Sequence, residues 1–176
     1  SRKVRRCHDE TMSDEYRIGR VGVEDAGELL TLRRAAFVTT AQEHGDPNIP
    51  PLTQTLGELK ADLRNPDVVT LGAWLGPRLV GSLRVLFEGT KATLGRFAVA
   101  PDLRGKGVGT SLMRGAVPYL PDDVSEVWVF TVTDSVQSLA TVAGGYAAQI
   151  DQTAGDLTVA YLRKLVGEGI EDLDAW

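Results

Sequence analysis

The residues whose types and spacing could do chemistry lie in the stretch Leu94-Gly95-Arg96-Phe97-Ala98-Val99-Ala100-Pro101-Asp102-Leu103-Arg104-Gly105-Lys106-Gly107-Val108-Gly109-Thr110-Ser111-Leu112-Met113. A strand pattern runs into a short loop with glycine at 105, 107 and 109, and the loop runs into an amphipathic helix pattern. Glycine accepts positive φ and lets a ligand approach where a Cβ would collide. Successive amide N–H groups of such a loop point outward as an anion nest, and the helix N-terminus adds partial positive charge. Arg104 and Lys106 put full charges at its edge, and the whole suits a pyrophosphate. Two other phosphate loops fail on spacing. The Walker pattern needs Gly-Lys-Ser/Thr, but Gly107 follows Lys106, and the Rossmann pattern needs a glycine where Leu112 stands. A mere strand-to-helix turn needs one glycine, not an alternating set beside Arg and Lys.

Arg104-x-x-Gly107-x-Gly109, preceded by Phe97-Ala98-Val99-x-Pro101, resembles the acetyl-CoA-binding motif of the GNAT N-acetyltransferases. The resemblance implies that the amides of Arg104, Gly105, Lys106, Gly107, Val108, Gly109 and Thr110 hold the pyrophosphate of acetyl-CoA. It also implies that backbone groups of Phe97, Ala98 and Val99 pair with the pantetheine arm. A strand that splays from its neighbour exposes N–H and C=O groups that a pantetheine amide can satisfy like an added strand. The same free N–H can polarise the thioester carbonyl. The expected reaction is acetyl transfer from acetyl-CoA, as cosubstrate, to a primary amine, with no metal. Readings of other classes are a non-catalytic acyl-CoA-binding or regulatory module, and a structural domain whose groove is occluded.

Two positions depart from family usage. Many members carry an acidic residue two positions before the one matched by Phe97, where this chain has Gly95, followed by Arg96. Members often have Asn at the start of a short helix and Tyr seven residues later; the matching positions, counted back from Gly145-Tyr146, are Asp134 and Thr141. Asp134 thereby also joins the expected cofactor-binding positions. An alcohol is far less acidic than a phenol of pKa about 10, so Thr141 is a poor proton donor. A thiol has a pKa of about 8.5, so Ser138 or water can reprotonate the departing thiolate.

For the base, Glu88 comes first, because it ends the strand before the cofactor strand; Asp134, Glu43 and His44 follow. Glu43 and His44 are also expected at the acceptor, and Glu43, Asp46 and Asp151 favour a cationic amine. Arg96 reads as a sheet cap or a carboxylate's partner, and Trp74 and Trp128 as core residues. Cys7-His8 lies in a charged arm. No His-Glu-x-x-His, paired Cys-x-x-Cys or Gly-x-Ser-x-Gly occurs, which removes the commonest zinc and serine-hydrolase chemistries.

The elements that must position these residues follow from periodicity. Tyr16 to Gly22 reads as a strand and Glu24 to Ala41 as a helix, with Leu29, Leu30, Leu32, Ala36 and Phe37 at near-helical spacing. Gln42 to Pro51 reads as an irregular loop. Thr55 with Glu58 forms a capping box that opens a second helix, ended by Asn65-Pro66. Val68 to Leu75 and Leu79 to Phe87 should pair as a hairpin, with Ala92 to Ala100 continuing the meander. A helix from Gly107 to Tyr119, a strand from Glu126 to Val132, a short helix from Ser135 to Ala143, and strands Tyr146 to Ile150 and Leu157 to Leu165 complete the pattern. The expected fold is α+β: a mixed, mostly antiparallel sheet of about seven strands flanked by helices, splayed between the fourth and fifth strands where the cofactor enters.

The whole chain sets bounds. Its 176 residues, 43% hydrophobic and 24% charged, can bury one full core. The expected division is an arm over 1–15, an acyltransferase domain over 16–165 and an acidic tail over 166–176, with Met12 as the native start. A net charge of −5 argues against a nucleic-acid partner, whose affinity comes from clustered Lys and Arg. No apolar run approaches the roughly 18 residues that span a bilayer, so no membrane partner is expected. A lone Cys7 and no secretory leader point to the cytoplasm. The expected partner is a small-molecule or peptide amine, with a homodimer as the assembly to test.

Overall fold

The computed structural model describes residues 11–12, 15–132, 146–154 and 157–164, and the side chains of residues 15–128. Its strands are β1 Thr11–Met12, β2 Arg17–Arg20, β3 Val68–Leu75, β4 Arg78–Glu88, β5 Lys91–Val99, β6 Glu126–Val132, β7 Tyr146–Ala154 and β8 Leu157–Lys164. Its helices are α1 Ala26–His44, α2 Pro50–Thr53, α3 Leu56–Arg64 and α4 Val108–Ala116. The strands form one mixed sheet in the order β1-β2-β3-β4-β5-β6-β8-β7. Every neighbouring pair is antiparallel except β5 and β6. No described helix is long and apolar enough to cross a membrane.

α4 packs on one face of the sheet, while α1 and α3 cover the other. A Cβ on Gly81 of β4 would collide with Val108 and Leu112 of α4, and one on Gly115 of α4 would collide with Ile18 of β2. These two glycines let α4 sit close to the sheet. On the opposite face, Arg84 of β4 reaches Asp62 of α3 at 2.6 and 2.8 Å. The backbone N–H of Leu79 donates to Glu28 of α1 at 2.8 Å, tying the start of α1 to the start of β4. The core joins both faces through Leu29, Leu59, Leu71, Leu83, Leu94 and Leu112.

Several elements differ from the sequence expectation. α1 runs three residues beyond Ala41, so Gln42, Glu43 and His44 are helical rather than in an irregular loop. The helix stops at Gly45, whose φ of 63° is the left-handed conformation glycine accepts without strain. The amides of Gly45 and Asp46 then bond to the carbonyls of Gln42 and Ala41, a Schellman-type stop. Pro50 at the first turn of α2 costs no helix bond, because that N–H would be unpaired anyway. Only residues 45–49 remain irregular. Thr11 and Met12 pair with Ile18 and Arg17, so two residues of the expected arm are strand. β7 continues through Asp151 to Ala154, where a turn was expected, and absorbs the extra residue as a bulge between Ile150 and Gln152. The short helix expected from Ser135 to Ala143 lies outside the described residues.

The sheet opens at one place. β5 and β6 pair in parallel from Lys91↔Glu126 to Leu94↔Val129 and no further. Beyond that point β6 pairs only with β8, and β5 only with β4. A bulge lies at the same level: Arg84 faces Gly95 and Ser82 faces Ala98, leaving Arg96 and Phe97 opposite Leu83 alone. Arg96 takes a φ of 51°, rare outside glycine. A bulge bends the strand that carries it, and here it turns β5 away from β6.

Candidate active site

The glycine loop sits where β5 leaves the sheet. A 3₁₀ turn over Pro101–Leu103 redirects the chain, and Gly105 and Gly107 follow with φ of 74° and 82°. Ser111 N–H makes the first bond of α4, to Gly107 O at 3.0 Å, so the amides of Val108, Gly109 and Thr110 are the unpaired donors of its first turn. A Cβ at Gly105, Gly107 or Gly109 would meet nothing within 4 Å, so the front of the loop is open.

Two groups expected at the pyrophosphate already have partners within the protein. The Lys106 amide bonds to Leu103 O at 3.3 Å and is spent inside the loop. The Arg104 guanidinium turns to α1, giving Nη2 to Ala36 O at 2.6 Å and Nη1 to Thr39 Oγ1 at 3.2 Å. Arg104 therefore staples the loop to α1 instead of presenting its charge at the loop's mouth. Tyr16 adds a second staple, its hydroxyl donating to Lys106 O at 3.0 Å. Arg78 and Asp102 add a third, exposed and bidentate at 2.8 Å. The Arg78 hydrogen bonds lower the Asp102 carboxyl to about 2.

The opening supplies the next feature. The Ala100 N–H bonds to Val80 O of β4 at 2.8 Å. Strand backbone alternates edge by edge, so the N–H and C=O of Val99 and Phe97 face the opening, while those of Ala98 belong to the β4 ladder. Among the three residues expected to meet a pantetheine arm, two present their polar backbone and Ala98 supplies buried packing instead.

Glu88 is not at this opening. It pairs with Lys91, whose other neighbour is Glu126, at the closed end of the β5–β6 pair. Phe97 lies six positions along the strand from Lys91, about 20 Å at the usual rise. Glu43 and His44 are exposed on the last turn of α1, and His44 Nδ1 lies 2.9 Å from Thr40 O of its own helix. Asp134, Ser138 and Thr141 lie outside the described residues, as does the side chain of Asp151. Trp74 is buried with Arg17 over its ring at 4.4 Å, and Trp128 is half-buried with Nε1 on Glu126 at 2.7 Å.

A charged cluster that the sequence reading missed flanks the apex. Arg33 of α1 is only 2% exposed, and its one side-chain hydrogen bond among the described residues is a long one, 3.5 Å from Nη1 to Gln54. Its Nε and Nη2 have no partner among the described residues. Burial pushes the Arg33 guanidinium down to about 10; the charges of Arg96 and Arg84 push the same way and Asp62 opposes them. It stays a cation at neutral pH. Burial raises the Asp62 carboxyl, but the Arg84 hydrogen bonds and the charges of Arg84, Arg96 and Arg33 outweigh this and hold it below its ordinary value. Arg96, half-exposed, stands 3.7 Å from Asp62. The missed signal was positional: Arg33 lies four residues after Leu29 and three before Ala36, on the inward stripe of α1.

Residues 29–142 match the family model described as the acetyltransferase (GNAT) family. Solved structures with the same fold include the PaiA N-acetyltransferase of Thermoplasma acidophilum in complex with coenzyme A, at 20% identity and TM-score 0.66, covering 87% of this chain and 99% of that one. The GNAT domain of S. lividans PAT is 15% identical with TM-score 0.65, covering 88% and 97%. The ribosomal-protein-S18-alanine N-acetyltransferase of Escherichia coli is 14% identical with TM-score 0.59, covering 87% and 97%. A search of curated protein sequences gives no significant match. A glycine loop on the N-terminus of α4, beside a parallel strand pair that parts at Leu94 and Val129, is thus accompanied by a family match over most of the chain, and the chain belongs to the GNAT acetyltransferase family.

Proposed function

We propose that the chain transfers the acetyl group of acetyl-CoA to a primary amine. The observation that carries this reading is the unpaired edge of β5 running straight into an open glycine loop at a helix N-terminus. The residues present fit the cosubstrate: the amides of Gly105, Gly107, Val108, Gly109 and Thr110 suit a pyrophosphate, and the outward N–H and C=O groups of Phe97 and Val99 suit the amides of a pantetheine arm. Acetyl-CoA supplies a thioester, whose thiolate is a better leaving group than an amine or alkoxide.

The chain's own part is to hold and to polarise. A pantetheine arm held along β5 would lead from the loop back to the apex at Gly95 and Arg96, where an acceptor amine would meet the thioester. An outward N–H of Phe97 or Val99 stabilises the charge growing on the carbonyl oxygen. The amine nitrogen bonds to the carbonyl carbon as the C–S bond breaks, and the amine's surplus proton leaves through water. Gly95 places no carboxylate at the apex, so holding the two reactants together carries much of the rate. Asp134 and Ser138 remain the groups to test for the proton steps.

Calorimetry with acetyl-CoA, followed by thiol release with a panel of amines, tests the proposal. Binding and amine-dependent thiol release are expected. Binding without release from any amine leaves an acyl-CoA-binding module, and absence of binding removes the cofactor assignment altogether.

A further inference from the structure

The sheet face beneath α1 and α3 offers more hydrogen-bonding capacity than its own residues satisfy. Asp62 gives both oxygens to Arg84, so Arg96 is left with a 3.7 Å approach and Arg33 with one long bond to Gln54. Three guanidinium groups thus share one carboxylate. The buried hydroxyls of Thr70 and Ser82 also have no partner among the described residues. Both belong to the same face, since Thr70 stands directly across from Arg84 and Ser82 two residues before it on β4. Among the described residues, every buried side-chain nitrogen or oxygen without a partner therefore falls in one neighbourhood. Native proteins rarely leave such groups unpaired, and an unpaired buried charge is the costliest kind.

The neighbourhood adjoins the apex of the opening. Arg96 follows immediately after the last β5 residues that pair with β6 or oppose Arg84. The bulge that bends β5 there gives Arg96 its positive φ and re-aims its side chain toward Asp62. Arg33 stands one turn of α1, about 4.5 Å of rise, before Ala36, which receives Arg104 of the glycine loop. We propose that the acceptor amine is a small molecule carrying a carboxylate or phosphate, and that Arg96 binds this anion while Arg33 beneath it keeps the site positive. The inference rests on the acetyl-transfer reading. Arg96 is the contact because it is half-exposed and its planar fork matches either anion in a bidentate pair. Arg33, enclosed, acts through the local field and as a positioning residue. The proposed acceptor is opposite in charge to the simple cationic amine that Glu43, Asp46 and Asp151 favour on sequence grounds.

The test uses matched amines: L-amino acids with their carboxamides, and aminoalkyl phosphates with the corresponding amino alcohols. Calorimetric binding to the CoA-saturated full chain is read first, because it needs no turnover; kcat/KM from thiol release is read second. At least one anionic amine should bind tenfold or more tightly than its neutral partner, and the arm in which it occurs tells carboxylate from phosphate. R96A, at a half-exposed position, should bring that ratio near one while leaving acetyl-CoA affinity unchanged, and R96K should restore part of it. Equal binding of anionic and neutral partners in the unsubstituted chain overturns the inference, as does a ratio that survives R96A. Equal weakening of acetyl-CoA itself by R96A also overturns it, since the cluster would then serve the cofactor's phosphates. Anion binding that responds to R96A without thiol release keeps the anion site and overturns the acetyl-transfer reading instead.

Discussion

At Gly107 the backbone holds a φ of 82° with open space where a side chain would go. Gly107→Val should leave the fold intact at a cost of about 1–3 kcal/mol for the strained conformation, and weaken acetyl-CoA at least tenfold. Calorimetry beside a thermal melt checks both; a folded variant with unchanged affinity removes the cradle. Arg104 is held from within the fold. Its guanidinium is already committed to Ala36 O and Thr39, so Arg104→Ala should destabilise the cofactor-free protein by about 1–2 kcal/mol, in the range of a charge-assisted hydrogen bond. Any loss of acetyl-CoA affinity should track the loosened loop. If stability is unchanged and only affinity falls, the side chain turns to the ligand in the complex. The glycines could be read in advance because the φ they permit is a local property. The direction of Arg104 could not, because its partners are more than sixty residues away.

Elements carry the next set of consequences. Thr55 accepts from the Glu58 N–H at 3.2 Å and Glu58 accepts from the Thr55 N–H at 2.8 Å, the reciprocal box that four residues of sequence announce. Thr55→Ala should cost about 1 kcal/mol in a urea titration. Because α3 also carries Asp62, the same variant should loosen the pair with Arg84. A larger effect is expected at the contact between α4 and the sheet. Gly115→Val would press into Ile18 and cost about 1–3 kcal/mol by overpacking, and it should weaken acetyl-CoA as well by displacing the N-terminus of α4. A variant that loses stability but keeps full affinity would show that α4 can shift without moving the loop. Helix and strand identities were readable from period and caps, whereas the end of α1 was not. Gln42, Glu43 and His44 look like the start of a proline-rich loop, but the helix continues until a left-handed residue can close it, at Gly45.

For the whole molecule, charge pairing sets the response to acid. Asp62 and Asp102 both have folded-state pKa values below the unfolded value of about 3.9. Such groups contribute stability that is present above the unfolded value and is lost as pH falls through the folded one, about 2 for Asp102. Unfolding free energy should therefore be level from neutral pH to about 5 and fall below 4. Asp62→Asn removes this contribution in advance and takes away the one carboxylate that the three arginines share. Its deficit against the parent chain should be constant above pH 5 and should narrow below pH 4, as measured by denaturant titrations at each pH. A deficit independent of pH would mean that Asp62 acts by packing rather than by charge. The exposed Arg78–Asp102 pair should matter much less, because solvent screens it.

The sequence by itself determined the family, the glycine loop, the strand that leads into it and the helix that follows, since each rests on residues close together in the chain. It also showed that Gly95 leaves the apex without a carboxylate. The tertiary structure decided what stands near what. The β5–β6 register sends Glu88 to the closed end of the pair, about 20 Å of strand from Phe97, although only nine positions separate the two residues in sequence. The bulge at Arg96 and the packing of α1 and α3 gather Arg33, Asp62, Arg84 and Arg96 from four separate elements into one cluster. Periodicity records which side of its own element a residue faces. It does not record which residue of another element lies opposite, because register and helix packing are set by contacts between distant segments.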